Sequence, residues 1–218
     1  MFPLYDNTPR RSFPWVNYLI IAVTIAVFLV QLGAPDMEAF ILKYAFVPSH
    51  FSFFNPQSYQ YVLYSIFLHG SILHIVSNLW FLRVFGDNVE DAMGHFKYLL
   101  FYLLGGIIAV FSQYLVAPHT SIPMIGASGA ISAVSGAYFV YFRNSRVKTL
   151  VALLVIWTVV DLSASVVLGY WFLMQVLSSL VSLAAVDGGQ GGVAFFAHVG
   201  GFAFGYLLAR LTAQRAAV

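Results

Sequence analysis

The chain has 218 residues, of which 61% are hydrophobic and only 8% charged, and its formal net charge at pH 7 is +2. Soluble domains carry about 25% charged residues, so this composition excludes a water-soluble globular protein and indicates one compact, polytopic membrane domain. The chain contains no cysteine, which excludes disulfides and thiolate chemistry.

Six membrane spans are predicted along the chain, because a bilayer-spanning helix needs about 20 mainly apolar residues. The first, 16–32, is too long for the core of a cleaved signal peptide. The other apolar runs are 61–85, 96–116, 126–142, 164–183 and 193–211. A domain of residues 16–211 follows, flanked by a cytoplasmic N-terminal segment, 1–15, and a cytoplasmic tail, 212–218.

The region 147–185 is ambiguous, since it has one charge, Asp161, and is long enough for two spans. Lys and Arg near span ends favour the cytoplasm. Six spans with both termini inside leave only Lys43 outside, whereas a seventh would move Arg210 and Arg215 to the outer side. We therefore expect 147–162 to lie along or dip into the cytoplasmic face. The external loops are then 33–60, APHTSIP and the glycine-rich DGGQGG.

Polar side chains within the predicted spans are costly in lipid and are therefore candidates for function. The second span carries His69, His74 and Asn78, and the last two are four residues apart on one helix face. Taken alone, they are equally well explained as hydrogen-bonding groups between helices, a role worth about 1–2 kcal/mol each.

Two further polar groups each begin a strip of small residues on one helix face: Ser128, Ser132 and Gly136 in the fourth span, and His198, Gly201 and Gly205 in the sixth. Strips of this kind usually let membrane helices pack closely, and a packing role is the simpler interpretation of either strip alone.

The six-span topology brings these groups to one depth. The fourth and sixth spans both run inward, so Ser128 and His198 lie in the outer half, where contact between the small faces would bring them together. A nucleophilic serine needs a base within about 3 Å. His74 and Asn78 would reach the same region and, with the Ser128 N–H, donate hydrogen bonds to an oxyanion. These are the parts of an acyl-transfer site.

Other chemistries have less support. The histidines lack a His-Glu-x-x-His pattern and a neighbouring intramembrane carboxylate, so we expect no metal and no cofactor. Asp161 is the one acid in the apolar part, so an aspartyl dyad is missing. There is no phosphate-binding glycine loop and no basic patch for nucleic acid.

Together these residues resemble the rhomboid family of intramembrane serine proteases, of the bacterial type, from the second predicted span to the sixth. The motifs that carry the resemblance are His69, His74 and Asn78 in HGSILHIVSN, Glu90 and Gly94 in FGDNVEDAMG, Gly126-Ala127-Ser128-Gly129, and Ala197-His198 with Gly201 and Gly205. The four motifs in this order are far more specific than Gly-x-Ser-Gly alone.

The resemblance implies an all-α membrane protein, a six-transmembrane-helix rhomboid bundle, with a Ser–His dyad and no acid. Ser128 would attack the scissile carbonyl and His198 would take its proton, while His74 and Asn78 would line the oxyanion hole. Substrates would be transmembrane protein segments cut near their external end. The fifth span and the loop before the sixth would act as lateral gate and cap. Structural roles are expected for His69, Glu90, Gly126, Gly129, Gly136, Gly201 and Gly205.

Two positions depart from the family pattern. Many relatives carry Trp-Arg in the first external loop, where this chain has Tyr61-Val62. Some relatives carry an aromatic residue one turn after the nucleophile, where this chain has Ser132. Both departures leave the dyad intact, and they bear on how the first loop is anchored and how the imidazole is oriented.

Two other functions would use the same polar cavity: a non-proteolytic rhomboid-like protein that binds membrane clients, and a small-solute channel or transporter. Inactive relatives typically lose the serine or the histidine, and this chain keeps both. A transporter would usually show broken helices or repeats, and none is visible. A short chain without a transit peptide suits a bacterial plasma membrane, where membrane lipids and transmembrane substrates are the expected partners.

Overall fold

The computed structural model describes residues 1–153, 156–184 and 194–215, and these are mostly helical. The elements in chain order are β1 (Phe2–Asp6), α1 (Trp15–Leu32), α2 (Met37–Tyr44), a short 3-10 turn (Pro48–His50), α3 (Ser58–Ser65), α4 (Ile72–Met93), α5 (His95–Val116), α6 (Ser128–Tyr141), β2 (Arg146–Leu153), β3 (Ile156–Ser163), α7 (Ala164–Ala184) and α8 (Phe195–Arg215). The predicted loop DGGQGG, 187–192, and the first residue of the predicted sixth span, Val193, lie outside the described residues.

Three of the described helices are long and apolar enough to cross a membrane: Trp15–Leu32, His95–Val116 and Ala164–Val181 within α7. Among the described residues, the other predicted spans do not combine this length with this hydropathy. α4 carries Arg83, Asp87, Glu90 and Asp91, and the 14 residues of α6 extend about 21 Å, against an apolar bilayer core of about 30 Å. The chain is a mostly helical membrane protein, and its six-span count and the cytoplasmic position of its termini stay predictions.

The predicted second span, 61–85, is wrong as a single helix, because the chain forms α3 and α4 with a break between them. Ser71 ends the break by capping α4, its Oγ accepting the His74 N–H at 3.1 Å. Gln31 of α1 holds the chain just before the cap: its side chain donates to the His69 carbonyl at 3.0 Å and accepts the His69 N–H at 3.1 Å. The break is therefore fixed by hydrogen bonds.

Within 147–162, the residues that the structure describes form two antiparallel β-strands, so the predicted all-α class needs correction. The expected position of this segment along the cytoplasmic face stays a prediction. β2 and β3 pair antiparallel from Arg146 opposite Ser163 to Leu153 opposite Ile156. β1 pairs with the other edge of β2, giving the strand order β1-β2-β3. The segment is rich in valine, and β-branched residues favour strands. Val147 and Thr149 are buried on the inner side of the sheet.

The N-terminal segment, predicted to flank the domain, is bound to it. The Trp80 indole N–H donates to the Pro3 carbonyl at 2.7 Å, and Asp6 accepts a hydrogen bond from Asn88 at 2.9 Å. Glu90 is fully buried and accepts the N–H groups of Val16 at 3.1 Å and Asn17 at 2.7 Å. The first N–H groups of a helix have no intrahelical acceptor, so the Glu90 carboxylate caps α1.

Candidate active site

Ser128 is the first residue of α6 and is half-buried. The turn that presents it depends on Gly126, which has φ +118 and donates its N–H to the Ser65 carbonyl at 2.8 Å. A Cβ at Gly126 would lie 2.7 Å from His74 Nε2. Only glycine combines this backbone conformation with so close an approach. The turn therefore sets the chain just before the amino end of α6 against His74.

His198 lies one turn into α8, only 8% exposed, and its ring contacts the serine. His198 Nε2 is 2.7 Å from Ser128 Oγ. This is within the distance at which a base activates a serine nucleophile. The structure thus brings together the two residues that the sequence singled out from the fourth and sixth spans.

Glycines at the α6–α8 interface make this contact sterically feasible. A Cβ at Gly201 would overlap the Gly129 carbonyl oxygen, one at Gly205 would overlap the Ala133 carbonyl oxygen, and one at Gly136 would overlap the Phe202 carbonyl oxygen. Each obstacle is backbone, which has no rotamer by which to move aside. The two helices therefore pack main chain against main chain, one and two turns below the serine and the histidine.

His69, His74 and Asn78 form a connected polar group beside the Ser128 turn. Asn78 Nδ2 donates to His69 Nε2 at 2.9 Å, and His69 Nδ1 lies 3.2 Å from the Phe67 carbonyl, to which it donates. The rings of His69 and His74 are 4.9 Å apart. His69 is fully buried and so orients the Asn78 amide rather than facing the site.

Two residues that contact His198 were missed by the sequence reasoning, and both lie on α7. Gln175 Oε1 is 2.7 Å from His198 Nδ1. The Trp171 ring is 5.9 Å from the imidazole, tilted by 39°. The available signal was Gln175 itself, a strongly polar side chain inside a predicted span. Trp171 thus places an aromatic ring beside the imidazole. The position one turn after the nucleophile, which is aromatic in some relatives, is Ser132 here, and its Oγ donates to the Ser128 carbonyl at 2.6 Å.

The loop between α1 and α4, predicted to be external, is anchored by aromatic contacts, although it has Tyr61-Val62 in place of Trp-Arg. The Phe51 ring lies 5.4 Å from the rings of Phe111 and Tyr114 on α5. Phe46 pairs with Met124 as an isolated β-bridge, with the Met124 N–H donating to the Phe46 carbonyl at 2.8 Å. The loop is thereby tied to the segment that leads to Ser128.

A cavity of only about 30 Å³ lies next to Ser128, between small residues and the larger apolar side chains of Ile66, Val110, Met124 and Ile125. Its walls include glycines and alanines from three helices: Gly106, Ala109, Gly129, Ala130 and Ala197. The amino end of α6 faces the same region, and a helix amino end favours negative charge. The arrangement therefore offers a hydroxyl with an adjacent imidazole, a positive electrostatic end and limited space for an apolar group.

The chain is similar to known proteins over most of its length. The family model described as the Rhomboid domain matches residues 55–215. Presenilin-associated rhomboid-like protein A, mitochondrial, of Danio rerio is 31% identical over 179 residues, 78% of this chain and 41% of that protein. RHOMBOID-like protein 6, mitochondrial, of Arabidopsis thaliana is 28% identical over 149 residues, 66% of this chain and 40% of that protein. Rhomboid-like protein 11, chloroplastic, of Arabidopsis thaliana is 41% identical over 76 residues, 35% of this chain and 26% of that protein.

These matches span less than half the length of each of the three relatives. The matched family region nevertheless contains Ser128, His198, His74 and Asn78, and it extends over all the helices from α4 to α8. The chain therefore belongs to the rhomboid family.

Proposed function

We propose that this protein is an intramembrane serine endopeptidase that hydrolyses peptide bonds in or near the outer part of substrate transmembrane segments. The observation that carries the proposal is the 2.7 Å contact between Ser128 Oγ and His198 Nε2 within an apolar helical bundle. A nucleophilic serine needs a base within this distance, so the contact supports the assignment of Ser128 as nucleophile and His198 as base.

The reaction follows from this pair. His198 Nε2 takes the hydroxyl proton as Ser128 Oγ attacks the scissile carbonyl carbon, which gives a tetrahedral intermediate with a negatively charged oxygen. The C–N bond breaks when the imidazolium gives the proton to the leaving amine, and an acyl-enzyme remains. Water then attacks the ester with His198 again as base, and Ser128 regains its proton as the carboxylic acid product leaves.

The oxyanion would be stabilised by donors from two helices. Asn78 Nδ2 uses one hydrogen for His69 Nε2 and has a second to donate. His74 Nε2 lies against Gly126, two residues before the serine, and the Ser128 N–H is in the first turn of α6. A single such donor lowers the barrier by about 3–4 kcal/mol.

The proposal includes six spans, cytoplasmic termini and a site that opens to the outer side of the membrane. Because the chain lacks cysteine, single cysteines report sidedness directly. Ser121→Cys, in the loop before Ser128, would react with an impermeant maleimide added outside, and Asn144→Cys, after α6, would react only after permeabilisation. The reverse pattern would overturn the orientation. The predicted bacterial plasma membrane gains no support from the three eukaryotic relatives, whose names give mitochondrial or chloroplastic locations.

The activity is tested in proteoliposomes with a transmembrane reporter substrate. Ser128→Ala and His198→Ala should each abolish cleavage and labelling by a fluorophosphonate, while Ser135→Ala, the same change at a buried position of α6, should leave both intact. Cleavage by Ser128→Ala would overturn the proposal. Wild-type protein that co-purifies with the reporter without cutting or labelling would favour the client-binding alternative.

A further inference from the structure

Both ring nitrogens of His198 are engaged, although the proposed dyad uses only one. Nε2 lies 2.7 Å from Ser128 Oγ, and Nδ1 lies 2.7 Å from Gln175 Oε1. The proposed reaction assigns no role to Gln175, which is half-buried on α7 and points its side chain at the histidine.

The second contact determines which nitrogen carries the proton. A neutral imidazole has one N–H donor and one lone-pair acceptor. The Gln175 carbonyl oxygen only accepts, so it selects the Nδ1–H form. Nε2 is then left with its lone pair towards Ser128, as a base requires. In the opposite form Nε2 carries the proton and accepts nothing from the serine hydroxyl.

The surroundings of Gln175 hold its side chain in this position. Trp171 lies one turn earlier on α7, against the imidazole, and Phe172 stacks on Phe202 of α8 at 4.4 Å between ring centroids. Ser179, one turn later, is buried and donates to the Gln175 main-chain carbonyl at 2.8 Å, a bond within α7. One face of α7 thus lies along α8 with Gln175 at the level of His198.

We propose that Gln175 is a positioning residue for the reaction, holding His198 in the Nδ1–H form and in the ring orientation that aims Nε2 at Ser128. The inference rests on the proposed function. It also makes the base depend on α7, because moving α7 away from α8 would remove the acceptor from Nδ1.

The kinetic test compares three variants in proteoliposomes. Gln175→Leu keeps the bulk and removes the acceptor, and it should lower kcat and the fluorophosphonate labelling rate roughly 5- to 30-fold, the effect of one well-formed hydrogen bond, with KM little changed. Gln175→Glu keeps an acceptor and should restore both rates to near wild type. Met174→Leu places the same new side chain at the adjacent exposed position and should change neither rate.

A spectroscopic test reads the proton directly. With ¹⁵N-histidine in detergent micelles, the His198 signals, assigned by their loss in His198→Ala, should show a protonated Nδ1 in the wild type and in Ser128→Ala. Gln175→Leu should shift them towards the Nε2–H form or a mixture of forms. A structural role alone would lower the unfolding temperature without changing the proton position in the folded protein.

The outcomes separate this inference from the proposed function. An active wild type with unchanged kcat and labelling in Gln175→Leu would overturn the role of Gln175 alone. A fall in rate that Gln175→Glu fails to restore, with the Nδ1–H form unchanged, would also overturn it. Absence of cleavage and labelling in the wild type would overturn the proposed function, while the ¹⁵N spectra would still report whether Gln175 selects the Nδ1–H form.

Discussion

Replacing Gly205 by alanine tests whether close packing of α6 and α8 creates the reactive pair. A Cβ at this position would overlap the Ala133 carbonyl oxygen in the backbone of α6, so the helices must separate by about 1 Å to reach normal van der Waals distances. Separation by that amount would lengthen the 2.7 Å contact between Ser128 and His198 beyond hydrogen-bonding distance. A misplacement of about 1 Å can reduce turnover about 100-fold.

The matched control is Gly169→Ala on α7. A Cβ there would meet only the edge of the Phe139 ring, at an ordinary 3.7 Å. Both substitutions gain about 1 kcal/mol of helix propensity, so a difference between them reports the α6–α8 contact. We expect Gly205→Ala to lose most fluorophosphonate labelling and reporter cleavage and to unfold at a lower temperature in detergent, and Gly169→Ala to keep all three properties. Full labelling by Gly205→Ala would refute the reasoning.

Three further predictions concern the oxyanion donor, the buried acid and the cavity. Asn78→Ala should lower kcat for the reporter about 100-fold with little change in KM, and an unchanged kcat would exclude Asn78 as a donor. Glu90→Gln should reduce the free energy of unfolding by about 1–3 kcal/mol, since one buried N–H loses its acceptor, while labelling per folded molecule stays the same. Asp161→Asn, at an exposed ion pair, is its control and should leave unfolding unchanged. Reporters with alanine before the scissile bond should be cut with higher kcat/KM than those with leucine, by roughly 10-fold or more, because the cavity beside Ser128 has a volume of only about 30 Å³; equal values would contradict this use of the cavity.

Local sequence patterns were sufficient to predict which polar side chains of the spans would meet. Ser128 and His198 each stand out as a polar residue at the head of a strip of small residues, and helical spacing alone predicts that those strips can meet. Gly126 belongs to the serine motif, but its φ of +118 and its approach to His74 depend on how the loop crosses α4. Membership of the rhomboid family followed from the same motifs and is confirmed by the match over residues 55–215.

The remaining features depend on contacts between distant segments. Gln175 reaches His198 across 23 residues of chain. Its polarity inside an apolar span marks it as a candidate, but its partner depends on how α7 packs against α8. The strands were missed for a different reason: a long apolar run in a hydrophobic chain resembles a membrane-associated segment, and its pairing with itself as β2 and β3 and with residues 2–6 is what makes it a sheet. The break at 66–71 depends on Gln31, 38 residues from its partner His69.

The site combines interfaces of different rigidity. Between α6 and α8, glycines place backbone against backbone, so the separation of the main chains that carry Ser128 and His198 cannot change without moving whole helices. α7 instead meets α8 through the rings of Trp171 and Phe172 and exposes much of its other side, including Leu177 and Val181. Side chains and rings repack at lower cost than helix backbones. If α7 moves when a transmembrane substrate enters beside it, the helices that carry the serine and the histidine stay together, and the contact that changes is the one that sets the proton and the ring orientation of His198.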